Sequence, residues 1–305
     1  MRKLIYIFIL VFGLGSFKAF AQEENNDWDW DWRGGIKFFE FEKPTIEADF
    51  GHAMNNLDGF PYKFENAGTF NLKLGYVTNF SGRHHRHGRR EENSYWKKEN
   101  GYKNPLKNEY NFGYISFGGF SSKAALSKKN EGLTSEVWKL GFGVKGGYLI
   151  RMGKSYLLPF SDNSLNWYKI NYNLNELQGI DDYRINRFTD AVRFGAAWSA
   201  GIQFNPVREV SFSVGYEKTN IYERHLFWKS SGSMLIEAVG TEMIDHFVQR
   251  IFRSSPVGCS IANFILKNAY HFGIYQLRAK EMDWPFKGEP SLTFDSFKFG
   301  FGVTF

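Results

Sequence analysis

Three histidines stand together in Gly82-Arg83-His84-His85-Arg86-His87-Gly88-Arg89-Arg90. Neutral imidazoles bind zinc or copper, but the interleaved arginines repel a cation and no carboxylate sits among them. The segment therefore reads as a solvated basic loop, with contact to lipid phosphate or a polyanion as the alternative, and no metal site is assigned. A second set is Glu223-Arg224-His225-Leu226-Phe227-Trp228-Lys229, followed by Ser230, Ser231 and Ser233, with Asp245-His246 further on. A nucleophilic serine, a histidine to take its proton and an acid to orient it would make a hydrolase or acyltransferase. On that reading His225, His246 and Asp245 are the catalytic candidates. No Gly-x-Ser-x-Gly elbow accompanies them, and any loop of this length holds such residue types. The competing reading makes Arg224, His225, Trp228 and Lys229 a basic and aromatic anchor at lipid-headgroup level.

The ends of the chain decide where such chemistry would take place. Arg2 and Lys3 precede the apolar run Leu4 to Leu14, and Ala19-Phe20-Ala21 is an A-x-A cleavage signature. Residues 1–21 read as a signal peptide, with the mature chain expected at Gln22. The apolar run is short for a membrane-spanning helix, which is the other reading. No cysteine follows the cleavage signature, which argues against a lipoprotein. Cys259 is the single cysteine, so an internal disulfide is excluded and a thiolate metal site is unsupported. The net charge is +6. A basic chain usually suggests nucleic acid, but an exported one meets anionic lipid headgroups, so no nucleic-acid partner is expected. No nucleotide, haem or iron–sulfur signature appears, and no cofactor is expected.

The elements that must carry these residues show a period of two. In the final stretch, Phe297, Phe299, Phe301, Val303 and Phe305 alternate with Lys298, Gly300, Gly302 and Thr304, so one set lies on each face of a strand. An apolar outer face against a small polar inner one suits a strand between lipid and a lumen. With its C-terminal Phe, this stretch resembles the closing strand of a bacterial outer-membrane β-barrel. That resemblance implies an outer-membrane location, contact with outer-membrane lipid, and the barrel-assembly machinery as a partner. Seven more stretches read as strands: Thr45 to His52, Thr69 to Val77, Glu109 to Phe120, Val137 to Ile150, Ser155 to Tyr172, Val192 to Phe204 and Glu209 to Tyr216. The third carries Tyr110, Phe112 and Tyr114 outside and loses phase near Ile115, as a bulge would do. Aromatics at 19% and 31 glycines suit outer girdles and close inner packing. The expected fold is all-β, a transmembrane antiparallel up-and-down barrel of eight strands over residues 45–305. It follows a tail, 22–44, that holds the Asp-Trp repeat of residues 27–32.

If the last strand runs inward, the segments at Met152-Gly153-Lys154 and Asn205-Pro206-Val207-Arg208 become short periplasmic turns. The long basic segment 80–107 falls awkwardly on the same side. Either that connection is unusual or Ile36 to Phe41 begins the barrel. Glu47, Asp49, Lys73, Lys139, Lys145, Arg193, Glu217 and Lys298 face inward. An eight-strand bore is just wide enough for side chains, so these charges are expected to form a plugging ion-pair network, and a path for a small solute is the alternative. Residues 230–282, between the last two strands, have helical spacing instead: Ile236, Val239, Met243, Phe247 and Ile251, then Ile261, Phe264, Ile265, Ala269, Phe272 and Leu277. This insertion is expected outside the cell-facing rim, as a lid, an interfacial helix or a docking surface for a protein partner. The functional expectation is binding or scaffolding at the envelope through the helical loop. The alternatives are a lipid-directed enzyme and a selective channel.

Overall fold

The computed structural model describes residues 43–60, 63–79, 109–125, 132–172, 183–189, 191–224, 227–252 and 256–305. The signal segment, the Asp-Trp tail, Ile36 to Phe41, the histidine-rich loop and His225 lie outside them. Eight long strands form: β1 (Lys43–Leu57), β2 (Ala67–Asn79), β3 (Glu109–Ser121), β4 (Ser135–Tyr148), β5 (Ser155–Tyr172), β6 (Val192–Asn205), β7 (Val210–Ile221) and β8 (Leu292–Thr304). The short piece Ile150–Met152 completes the turn from β4 into β5. Each strand pairs antiparallel with its chain neighbour, and β8 closes on β1 from Thr45↔Thr304 to Leu57↔Leu292. Closure removes both sheet edges, as a bilayer requires, because hydrocarbon offers no partner to an unpaired backbone group. Outside, Ile46, Phe50, Phe70, Leu74, Ile115, Phe117, Trp138, Leu140, Phe297 and Phe299 are exposed, forming the apolar belt of a membrane barrel. The eight strands match the eight expected stretches. The 80–108 connection joins β2 to β3 at the end where the two short turns lie.

One strand differs from its expected orientation. The register of β3 runs unbroken against both β2 and β4, with no bulge. Tyr110, Phe112 and Tyr114 are buried in the lumen, while Ile115 and Phe117 take the lipid side. The reason lies across the bore: the Tyr114 hydroxyl donates to Asp162, and Lys73 Nζ stands 4.9 Å from the centre of the Tyr114 ring. Large aromatics are tolerated inside because they cover charges.

The lumen is consequently layered. At the turn end, Val77, Tyr110, Phe112, Tyr114, Leu158 and Phe160 form one apolar cluster. At the opposite end a larger cluster includes Phe120, Tyr168, Ile170, Tyr172 and Phe294, with Ile185 from a one-turn helix, Tyr183–Asn186, and Phe188 just beyond it packed among them. Phe120 and Phe294 stack with ring centres 4.5 Å apart. The charged residues lie between these two layers.

Helices α1 (Phe227–Phe252) and α2 (Pro256–Lys280) join β7 to β8. The sequence places this hairpin beyond the rim; the structure places it against the outer wall. Helix α2 packs on β4, β5, β6 and β7. Near the bend of the hairpin, Val248 and Cys259 bury Tyr148, the last residue of β4, at the turn end of the barrel. The reach is sufficient: the 26 residues of α1 extend for roughly 39 Å at 1.5 Å per residue. Gly240 allows the two helices to approach, since a Cβ there would stand 2.1 Å from the Tyr270 hydroxyl.

The wall beneath the hairpin explains this position. Ser161 and Asn163 on β5, Lys218 and Asn220 on β7, and Asp295 on β8 occupy outward positions that elsewhere carry Phe, Leu or Ile. Asn163 lies opposite both Val144 and Trp198, and Lys218 opposite both Trp198 and Asp295. Facing lipid, a cation near the midplane would cost about 2–4 kcal/mol. The hairpin covers this flank instead. Excising 230–282 in favour of a short turn should therefore lower barrel stability in vesicles by about 2–4 kcal/mol for the uncovered Lys218, read by urea titration of tryptophan fluorescence. Adding Lys218→Leu and Asp295→Leu to the shortened chain should recover most of that loss. A shortened barrel as stable as the full chain would contradict the covering role.

Candidate functional site

The lumen brings seven of its eight predicted charges into two linked groups and adds one more. Lys73 Nζ lies 2.8 Å from Asp162, 3.1 Å from Asp49 and 3.9 Å from Glu47. Lys145 donates to both oxygens of Glu47, at 2.9 and 3.0 Å, and sits 4.5 Å above the Phe160 ring. Glu217 is held between Lys298 and Lys139, the latter at 3.5 Å. Arg193 stands apart from the pairs: it is half-buried at the start of β6, and its Nε has no partner. Asp162 was not legible, because β5 carries Pro159 and polar residues that blur its alternation. The void among these charges is about 20 Å³, on the scale of one water. The geometry is that of a plug.

The hairpin and the wall enclose a second polar assembly. Trp198, outward-facing yet only 3% exposed, donates from Nε1 to Asn268 at 3.2 Å. Its indole also packs against His271, Phe272 and Tyr275. The Asn220 amide donates to the Tyr275 carbonyl at 2.9 Å. Between the helices, Glu237 joins His271 Nδ1 at 2.9 Å and accepts from Arg278, whose Nε reaches Ser233 at 3.0 Å. Ser230 donates to Asp283 at 2.7 Å. Lys218 pairs with Asp295 at 2.9 Å, and the Tyr216 hydroxyl donates to the same carboxylate. Polar groups thus line the inner side of the hairpin, while Leu235, Val239, Met243 and Phe247 are exposed on its outer side. Among the described residues, no helix is long and apolar enough to cross a membrane by itself. The pair hides its polarity against the wall.

The two described catalytic candidates, Asp245 and His246, do not converge. Asp245 turns toward α2 and pairs with Lys267 at 2.6 Å, whereas His246 is exposed and meets Glu242 one turn back at 3.4 Å. Neighbours in a helix point about 100° apart, so this dipeptide is not an acid–base pair. His225 lies outside the described residues. Of the anchor candidates, Arg224 is exposed, Trp228 is 84% exposed at the start of α1, and Lys229 donates to the Lys287 carbonyl at 2.8 Å. An exposed indole beside the barrel end suits headgroup depth. Sequence reading missed Glu237, His271 and Arg278, the acid, imidazole and guanidinium that do meet. Their spacing is within reach only once the two helices are folded back on each other.

Replacing one member of the lumen group tests its weight. Lys73→Met leaves Asp49, Asp162 and Glu47 crowded around the lost ammonium, and should cost about 3–5 kcal/mol of stability. Adding Asp162→Leu should return part of this loss. Lys123→Ala, which removes the exposed pair with Glu136, should change stability by less than about 1 kcal/mol. Equal effects from the buried and exposed changes would refute the plug.

No protein-family model and no curated protein matches the chain. Among solved structures it is similar to neisserial surface protein A, NspA, at 9% identity over 86% of this chain and 97% of that chain, with a TM-score of 0.40. It is also similar to Ail, the attachment invasion locus protein of Yersinia pestis, at 11% identity over 86% of this chain and 98% of that chain, with a TM-score of 0.30. Against Ail in complex with the heparin analogue sucrose octasulfate, the TM-score is 0.34 at the same identity and coverage. A closed antiparallel wall of eight strands with an apolar exterior makes the chain, by its own geometry, an outer-membrane β-barrel protein.

Proposed function

We propose that this protein is a binding or scaffolding barrel of the cell envelope, acting through the outward face of its helical hairpin. The observation that carries this reading is the sealed lumen. Two apolar layers and the ion pairs between them support no passage for a solute, which turns attention to the exterior. There the hairpin is more than a membrane anchor requires. Leu235, Val239, Met243 and Phe247 recur every fourth residue on α1, and Val257, Ile261 and Ile265 do so on α2, all exposed. Residues four apart form a ridge along a helix, and such ridges seat in the grooves of a partner. The surface meets its partner sideways, within the membrane or at its edge.

Site-specific photocrosslinking in intact cells tests the reading. A crosslinking amino acid at Met243 or Phe247 should yield a discrete protein adduct, whereas one at Phe299, on the uncovered wall, should yield lipid adducts only. Lipid adducts alone from all three positions would sink the proposal. The purified protein should also give no conductance steps in a planar bilayer, and steady single-channel openings would restore the channel reading.

A further inference from the structure

The apolar belt is interrupted on the flank that the hairpin leaves bare. Pairing across β8, β1, β2, β3 and β4 sets Phe299, Phe50, Phe70, Gly119 and Trp138 in one outward row. The next row, toward the rim where the hairpin leaves, is Phe297, His52, Gly68, Ser121 and Glu136. A groove of about 640 Å³ lies along these two rows, within the range of roughly 300–1,000 Å³ common to ligand sites. The turn Ser122–Ala124 overhangs it, since a Cβ on Gly68 would stand 2.3 Å from the Ala124 carbonyl oxygen. Gly68 and Gly119 supply the depth, and the exposed rings of Phe50, Phe70, Trp138, Phe297 and Phe299 supply the walls.

In its second row the groove departs from hydrocarbon chemistry. His52 is half-buried and lines the groove. Its Nδ1 is enclosed without a partner, whereas Nε2, also unbonded among the described residues, keeps open surface. Met54, one outward position nearer the rim, is apolar and exposed, so the imidazole sits inside the belt. A polar group in that setting needs a partner, and the partner has to come with whatever fills the groove. At the end of the row Glu136 is paired with the exposed Lys123, and such charges mark headgroup depth. A fitting occupant therefore brings hydrocarbon to the aromatic row, a polar end to Glu136 and a hydrogen-bonding group between them. A hydroxyl meets Nε2 in either tautomer or in the cation, because it both donates and accepts.

We infer that the groove holds one acyl chain of a membrane lipid that carries a hydroxyl near its headgroup end. The hydroxyl bonds His52 Nε2, the chain runs over Phe50, Phe70 and Trp138, and the headgroup emerges beside Lys123. The site shares no residue with the outward ridge of the hairpin and stands whether or not that ridge binds a partner.

Native mass spectrometry tests the assignment. The full-length protein is reconstituted in nanodiscs holding equal amounts of two phosphatidylglycerols, one with tetradecanoyl and one with 3-hydroxytetradecanoyl chains, and then released into detergent. The hydroxylated lipid should be retained in excess by about fivefold or more, as one hydrogen bond gained implies. His52→Phe places on the wall a residue that the belt carries elsewhere, so it should keep heat-modifiable mobility on gels and retain the two lipids equally. His52→Leu applies the same criterion if the phenylalanine variant fails to fold. Ser121→Phe fills the groove and should lower retention of both lipids. Equal retention by the unaltered protein overturns the proposal, as does a preference that survives in the His52 variants. A lipid-free dimer that Ser121→Phe dissociates would give the groove to a second copy of the chain and overturn the lipid assignment.

Discussion

A polar group left unpaired in hydrocarbon costs several kcal/mol, and the rest of this structure depends on how the chain meets that constraint. The backbone meets it by closing β8 on β1, which leaves no strand edge. The interior meets it by pairing its charges and capping them with aromatic layers. The exterior meets it in two ways. Most of the wall carries Phe, Leu and Ile, and the flank that carries Asn, Lys and Asp is covered by two helices. The hairpin is therefore part of the solution to membrane solvation and not an appendage to the barrel mouth.

Seen this way, the helices are built inside out relative to helices on a water-soluble core. Their polar residues Ser233, Asn268, His271 and Arg278 are buried, Glu237 is half-buried between them, and much of their apolar surface is exposed. The same inversion governs the strands, where Lys139, Lys145 and Glu217 face the axis while Phe297 and Phe299 face out. A shared inversion lets hairpin and wall meet through polar contacts such as Trp198 to Asn268 and Asn220 to Tyr275. Such contacts pair groups that would otherwise lie unpaired in hydrocarbon.

The barrel itself was legible because a period of two survives wherever one face is lipid and the other is a polar lumen. All eight strands are visible in the sequence on that ground, and both helices by their helical spacing. The failures share a cause. At Tyr110 to Tyr114, aromatics stand inside, so alternation by hydrophobicity reverses its meaning. At Lys218 and Asn220 polar residues stand outside, and the pattern ended the strand at Tyr216, whereas β7 continues to Ile221. The latter break was itself a signal. Polar residues at outward positions 161, 163, 218, 220 and 295 fall on neighbouring strands beside a helical insertion, which identifies a covered wall. The Glu237, His271 and Arg278 contact lies beyond such reasoning, since it depends on how one helix returns along another.

The most direct test of the hairpin's position uses its own cysteine. Cys259 packs with Tyr148 in one buried cluster at the turn end of the barrel, far from the rim where the hairpin enters and leaves. In a Tyr148→Cys variant embedded in native membranes, a short bifunctional thiol crosslinker should join residues 148 and 259 within one chain, read by mass spectrometry of the linked peptides. A hairpin lying against the wall predicts near-complete linkage. Two free thiols in a correctly folded barrel would place the hairpin elsewhere and contradict the covered wall.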